Sequence, residues 1–193
     1  MRITGGEWRG RRVKTPPGDG TRPTSERVRE SLFDLLGGAV VGARVMDLFA
    51  GSGALGLEAL SRGASRALLV ERTPATARLI RENIALLGAE DRARVIQAAA
   101  DSLVLYRNLR QSPPENGVEA PPFDLFLLDP PYRRNLIPAT LEMVTREGFP
   151  APGAVAAAEH EADLPPPALP RGWNPWKHRR YGETALSLWT WEP

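Results

Sequence analysis

Val45-Met46-Asp47-Leu48-Phe49-Ala50-Gly51-Ser52-Gly53 opens the part of the chain where strand-like and helix-like stretches begin to alternate. Val45 to Phe49 is short and apolar apart from Asp47, Ala50 to Gly53 is a turn by composition, and Ala54 to Arg62 is helical and closed by Gly63. The unit then recurs. Arg66 to Glu71 reads as a second strand, followed by a helix with Thr73 as its cap, Pro74 in its first turn, and Ala77, Ile80, Ile84 and Leu87 as its buried stripe. A third strand covers Arg94 to Ala98, with Asp101 at its carboxyl end and a helix running on through Arg110. Phe123 to Leu128 is a fourth strand, Leu136 to Glu147 a helix, and Gly153 to Glu159 a fifth strand. Two further strands turn at Gly182, the last being Ala185 to Trp189. This alternation predicts an α/β fold: a Rossmann-like, doubly wound, mostly parallel sheet with an antiparallel last strand.

Upstream of that pattern, Met1 to Lys14 carries Gly5-Gly6 and Trp8-Arg9-Gly10 between short β-forming stretches and reads as a hairpin or extended arm. Residues 1–20 are expected to form this basic arm and residues 21–193 the main domain. Thr24 is placed to cap a helix whose apolar face is Val28, Leu32, Leu35 and Leu36, stopped by Gly37-Gly38. Trp8, beside Arg9, Arg11 and Arg12, has two readings: a ring that stacks on a nucleic-acid strand, or one that pins the arm to the core.

At 193 residues the chain suits one domain with a good core. Its net charge of +2 is small, so the distribution matters more than the sum: basic residues crowd the amino end and recur as Arg171, Lys177, Arg179 and Arg180. Cysteine is absent and the histidines are His160 and His178 alone, which removes disulfides, iron–sulfur clusters, cysteine nucleophiles and most zinc sites; no metal is expected. No apolar run is long enough to cross a bilayer and no signal peptide is apparent after Met1, so the expectation is a cytoplasmic protein with no membrane partner.

Gly51-Ser52-Gly53-Ala54-Leu55-Gly56 fits G-x-G-x-x-G between a strand and a helix, with Glu71 about twenty residues on, which is the dinucleotide fingerprint. A nicotinamide-dependent oxidoreductase is therefore one reading. Asp47 argues for another: a carboxylate just ahead of the turn repels a pyrophosphate but suits a cationic amino group, as in the methionine end of S-adenosylmethionine. Asp101 is placed to reach an adenine amino group and Glu71 a ribose, while Ser52 either adds a hydroxyl contact or simply fits the turn.

Asp129-Pro130-Pro131-Tyr132 follows the fourth strand, at the sheet edge where α/β folds bind ligands. Two prolines leave carbonyls that nothing nearby must satisfy. Those carbonyls and Asp129 could accept both hydrogens of an amino group, with Tyr132 stacking on a planar ring.

Asp47-Leu48-Phe49-Ala50-Gly51-Ser52-Gly53 resembles the first motif of class I S-adenosylmethionine-dependent methyltransferases, and Asp129-Pro130-Pro131-Tyr132 their amino-group methylating motif. Met1-Arg2-Ile3, Gly5-Gly6, Trp8-Arg9-Gly10, Arg22-Pro23-Thr24, Arg27-Val28-Arg29-Glu30, Ala54 to Gly63 and Tyr181-Gly182 are similar to the bacterial 16S rRNA guanine-N2 methyltransferases that modify guanine 966. The resemblance spans nearly the whole chain, and the amino-terminal arm and Arg22-Pro23-Thr24 are its more specific parts. It implies a class I methyltransferase domain that takes S-adenosylmethionine, with 16S rRNA or a 30S particle as partner. It also implies Asp129, Pro130, Pro131 and Tyr132 as the catalytic set, and Trp8, Arg9, Arg11, Arg12, Arg22 and Thr24 as residues toward the substrate. The stretch Gln111 to Pro122 is longer and richer in proline than that pattern needs. Competing readings are an adenine-N6 methyltransferase, the oxidoreductase, and a non-catalytic RNA-binding module, which leaves the acids at the strand ends unexplained.

Overall fold

The computed structural model describes residues 1–16, 26–111, 121–131 and 136–193. Among them a seven-stranded sheet runs β3-β2-β1-β4-β5-β7-β6. Its strands are β1 (Arg44–Asp47), β2 (Arg66–Glu71), β3 (Ala93–Gln97), β4 (Phe123–Leu128), β5 (Pro150–Glu161), β6 (Trp173–Tyr181) and β7 (Thr184–Trp191). The first five pair in parallel, and β7 is antiparallel to both β5 and β6. The predicted architecture is the observed one. The order reverses beside β1, so the carboxyl ends of β1, β2, β3 and β4 meet at a topological switch point, where such sheets bind ligands.

The helices are α1 (Glu26–Leu36), α2 (Ala54–Ser61), α3 (Pro74–Leu87), α4 (Leu103–Gln111) and α5 (Leu136–Arg146), with a 3-10 turn at Gly37–Val40. Two cores result, one on each face of the sheet. Leu32, Leu36, Leu57, Ile80 and Leu87 pack on one face with Ile3, Trp8 and Val13, while Tyr106, Leu109, Ile137, Leu141 and Val144 pack on the other. Burial on both faces is why β4, Phe123-Asp124-Leu125-Phe126-Leu127-Leu128, is nearly continuous in apolar residues.

Several boundaries differ from expectation for local reasons. β1 ends at Asp47 because Leu48 and Ala50 turn their amides to opposite neighbours, Leu127 on β4 and Val70 on β2. β5 starts at Pro150, ahead of Gly153, with a register shift that absorbs the Pro and Gly. Thr73 precedes α3 but its side chain makes no cap hydrogen bond; its amide donates to Glu71 Oε1 at 2.7 Å instead.

Residues 1–13 do form a small hairpin, with an Arg2–Arg12 bridge and backbone bonds from Ile3 to Arg11 and from Gly10 to Ile3. It is fastened to the domain by a charge. Glu58 on α2 is fully buried and accepts from the Thr4 amide and hydroxyl, the Gly5 amide, Arg62 Nε (each 2.8 Å) and Arg29 Nε (3.2 Å). Arg29, equally buried on α1, donates from its other two nitrogens to Met1 Sδ and the Arg2 carbonyl. So each guanidinium nitrogen and each carboxylate oxygen has a partner, which is the condition under which a buried ion pair is tolerated.

Candidate active site

The turn after β1 is built on two glycines with positive φ, Gly51 (53°) and Gly53 (83°), the left-handed region that other residues avoid. Gly53 also lacks room: a Cβ there would sit 3.1 Å from Ile80 Cγ2 and 3.3 Å from Leu57 Cδ1. One turn on, a Cβ at Gly56 would lie 3.0 Å from Leu69 Cδ2 and 3.2 Å from Asp47 Oδ2. The absence of side chains thus lets α2 press against the sheet and lets the Gly56 amide donate to Asp47 Oδ2 at 2.9 Å.

Asp47 is 0% exposed, and its Oδ1 has no hydrogen-bond partner among the described residues. Burial pushes its pKa up to about 7 from the ordinary 3.8, the nearby Asp129 and Glu71 carboxylates push the same way, and the Gly56 and Phe49 amides oppose them. A buried carboxylate with an empty acceptor site among other acids calls for a cation. It is a poor neighbour for a pyrophosphate.

Glu71, half-buried at the end of β2, accepts the Gly51 amide on Oε2 at 3.1 Å and the Thr73 amide on Oε1. A carboxylate has about four acceptor sites, so two remain for ligand hydroxyls. Asp101 is exposed in the turn after β3, close enough to Tyr106 for its charge to raise that phenol's pKa further, after burial. Asp129 is half-buried beyond the end of β4, Pro130 is buried and Pro131 exposed. The structure therefore gathers Asp47, Gly51, Ser52, Gly53, Glu71, Asp101, Asp129, Pro130 and Pro131 along one rim of the sheet. Tyr132, Arg22 and Thr24 lie outside the described residues, as does most of the Gln111 to Pro122 stretch.

With that rim in view, the chain can be set beside known proteins. A family described as "Conserved hypothetical protein 95" matches residues 1–190. The ribosomal RNA small subunit methyltransferase D of Escherichia coli is 37% identical over 189 residues, covering 98% of this chain and 89% of that one. Its Haemophilus influenzae namesake is 33% identical over 191 residues, covering 98% and 93%. The chain belongs to the ribosomal RNA small subunit methyltransferase D family. It is a class I S-adenosylmethionine-dependent methyltransferase by family and by fold. The solved Escherichia coli protein yhhF superposes with a TM-score of 0.83 at 38% identity, covering 100% of this chain and 98% of that chain.

Family membership does not place the arm residues at the rim, and the structure gives Trp8 and Arg11 partners within the domain. Trp8 is 4% exposed, with the Arg92 guanidinium 5.0 Å above its ring, so of its two readings the geometry gives the packing one. A stacking ring needs a free face, and this one has none. Arg9, Arg11 and Arg12 are exposed, but Arg11 donates to the Leu86 and Leu87 carbonyls at the carboxyl end of α3. These carbonyls lie at the end of α3 opposite Pro74, where the helix leaves Glu71 and the carboxyl end of β2.

Asn83 is a residue that the sequence reading passed over. Fully buried on α3, it accepts from the Lys14 amide at 2.8 Å, donates to the Lys14 carbonyl at 3.0 Å, and donates to the Ser52 carbonyl at 2.9 Å. It ties the arm to the glycine turn. Its signal was present: Asn83 stands beside Ile84, three after Ile80 and four before Leu87, on the stripe that had to be buried.

Proposed function

We propose that this protein transfers the methyl group of S-adenosylmethionine to the exocyclic N2 amino group of a guanine in 16S rRNA, guanine 966 in the family's usage, presented in a 30S particle. The observation that carries the cofactor assignment is Asp47: a buried carboxylate with an unpaired oxygen accepts the ammonium of the cofactor's methionine end. Glu71 takes the ribose hydroxyls, Asp101 the adenine amino group, and the amides of Gly51 to Gly53 flank the chain between them. When bound, S-adenosylmethionine supplies an electrophilic methyl on a sulfonium.

The protein's own contribution is orientation. An exocyclic amino nitrogen is a weak nucleophile because its lone pair is delocalised into the ring. Accepting its two hydrogens, one on Asp129 and one on the Pro130 carbonyl, favours a pyramidal nitrogen whose lone pair points toward the cofactor side of the rim. Asp129 or water receives the proton that the nitrogen sheds. The target base has to leave its stack to reach this pocket, with Tyr132 as the ring it stacks on. The 16S rRNA substrate rests on the names of the relatives, and the choice of guanine N2 over adenine N6 rests on the specificity of the arm and Arg22-Pro23-Thr24 motifs.

The test is methyl transfer from labelled S-adenosylmethionine to unmodified small-subunit rRNA and to 30S particles, followed by nucleoside identification by mass spectrometry. N2-methylguanosine is the expected product, and N6-methyladenosine would overturn the substrate while keeping the chemistry. Asp129→Ala is expected to lower kcat by about a hundredfold or more with S-adenosylhomocysteine affinity nearly intact. Unchanged turnover in that variant would remove Asp129 from the mechanism.

A further inference from the structure

β6 is the outermost strand, and no described strand pairs with its outer side. Its sequence from Trp176 to Arg180 reads Trp-Lys-His-Arg-Arg, and between Leu164 and Gly182 the chain contains no acidic residue. A register shift between Pro175 and Lys177 leaves Trp176 without a ladder partner, and the residue stays 41% exposed with Lys177 Nζ 3.9 Å from its ring centroid. His178, Arg179 and Arg180 are exposed as well.

The register fixes where this strand stands relative to the active site. Leu128 on β4 is level with Ala158 on β5, Ala158 with Ser187 on β7, and Ser187 with His178 on β6. β6 is antiparallel to β7 and therefore runs in the same sense as β4. So Arg179 stands level with Asp129 and Arg180 with Pro130, three strand spacings or about 14 Å across the sheet.

A buried relay holds the first of these groups in place. His160 Nδ1 lies 3.0 Å from the Glu161 carbonyl, which can only accept, so that nitrogen carries the hydrogen. His160 Nε2 is then the acceptor for the Ser187 hydroxyl at 2.8 Å, and Ser187 Oγ accepts in turn from His178 Nδ1 at 2.9 Å. His178 is left with Nε2 for a ligand. Next to it, Arg179 is steadied by the His178 carbonyl, and Arg180 by the Gly182 carbonyl and by Asp163 at 2.9 Å, an ion pair with both side chains more than half exposed.

We propose that the outer edge of β6, with His178, Arg179 and Arg180 at its catalytic end and Trp176 behind them, docks an RNA strand that flanks the methylated nucleotide. Charge of one sign attracts the phosphodiester backbone, and an exposed ring held by a lysine offers a base a stacking surface. Basic residues and proline on an edge strand also discourage edge-to-edge aggregation. That alternative does not account for an exposed tryptophan, nor for the alignment of the arginines with Asp129.

The inference rests on the rRNA methyltransferase reading, and the test separates the two. Steady-state methylation of an unmodified 16S rRNA fragment is measured for the parent protein, Arg179→Ala/Arg180→Ala, Arg179→Lys/Arg180→Lys, Trp176→Ala and Asp163→Asn, with S-adenosylhomocysteine affinity and melting temperature as folding controls. Failure of the parent protein to methylate any rRNA would defeat the functional reading itself. With an active parent, the double alanine variant is expected to raise KM for RNA about tenfold at unchanged kcat and to reduce the salt slope of binding by about two. The double lysine variant restores most of the affinity, Asp163→Asn lowers KM, and Trp176→Ala raises it several-fold. An unchanged KM and salt slope in the double alanine variant, or aggregation as its one defect, would overturn the docking surface.

Discussion

With no cation beside it, Asp47 is a carboxyl group that burial holds in its protonated form up to about pH 7. Unfolded, it titrates near 3.8, so the native state binds this proton more tightly. The stabilisation is complete below that value and is lost as pH rises through about 7, a contribution of about 4 kcal/mol over the whole window. Cofactor binding carries the opposite sign, because the ammonium pairs with the ionised form: affinity for S-adenosylhomocysteine rises up to about tenfold per pH unit between pH 5.5 and 7. His160, whose pKa burial lowers, gives the apoprotein a slope in the other direction, so the informative quantity is the difference between the parent and Asp47→Asn. Melting the apoproteins at pH 5.5, 6.5 and 7.5, and titrating both with S-adenosylhomocysteine by calorimetry, should show both slopes diminished in Asp47→Asn. Equal slopes in the two proteins would mean that another group titrates. Asp47 was legible from the sequence because an acid inside an otherwise apolar strand has to be explained by what lies at that strand's end.

At the scale of elements, the hairpin is held by Glu58 and Arg29, and these the sequence reading did not single out as structural. Arg29 falls with Leu32, Phe33 and Leu36 at helical spacing, so the pattern marks it as buried; a charged residue on an apolar stripe implies a buried partner, and the spacing does not say which. Glu58→Ala leaves the Arg29 guanidinium buried without its counter-charge and frees the Thr4 and Gly5 amides. The expected loss is about 3–5 kcal/mol in denaturant unfolding, accompanied by early proteolysis within residues 1–13. Replacing both charges, as in Arg29→Met with Glu58→Leu, is expected to recover part of that loss. A Glu58→Ala protein as stable as its parent would show that the hairpin is seated by Ile3, Trp8 and Val13 alone. Helices and strands were otherwise readable from periodicity and glycine punctuation. The misplaced ends, at Asp47 and Pro150, are where hydrogen bonds to neighbouring strands decide the boundary, and a single strand's sequence does not contain its neighbours.

For the molecule as a whole, what sequence could not supply was direction. Arg9, Arg11 and Arg12 beside Trp8 suggest a nucleic-acid clamp, yet the hairpin lies against the far ends of α2 and α3, with the Glu7 amide on the Ser61 carbonyl and Arg11 on Leu86 and Leu87. With Arg11 engaged at the carboxyl end of α3, the arm's charges are expected to meet RNA that extends beyond the target nucleotide. The arm is therefore expected to matter more for a large substrate than for a short one. Alanine at Arg9 and Arg12, sparing Arg11 because it also caps α3, is expected to leave KM for a short rRNA fragment within about twofold. The same variant should raise KM for the 30S particle about tenfold, with a salt slope reduced by about two. An equal loss on both substrates would bring the arm's charges into contact with RNA close to the target. No loss on either would leave the hairpin to packing, through Trp8 under Arg92 and the Lys14 backbone that Asn83 couples to the glycine turn.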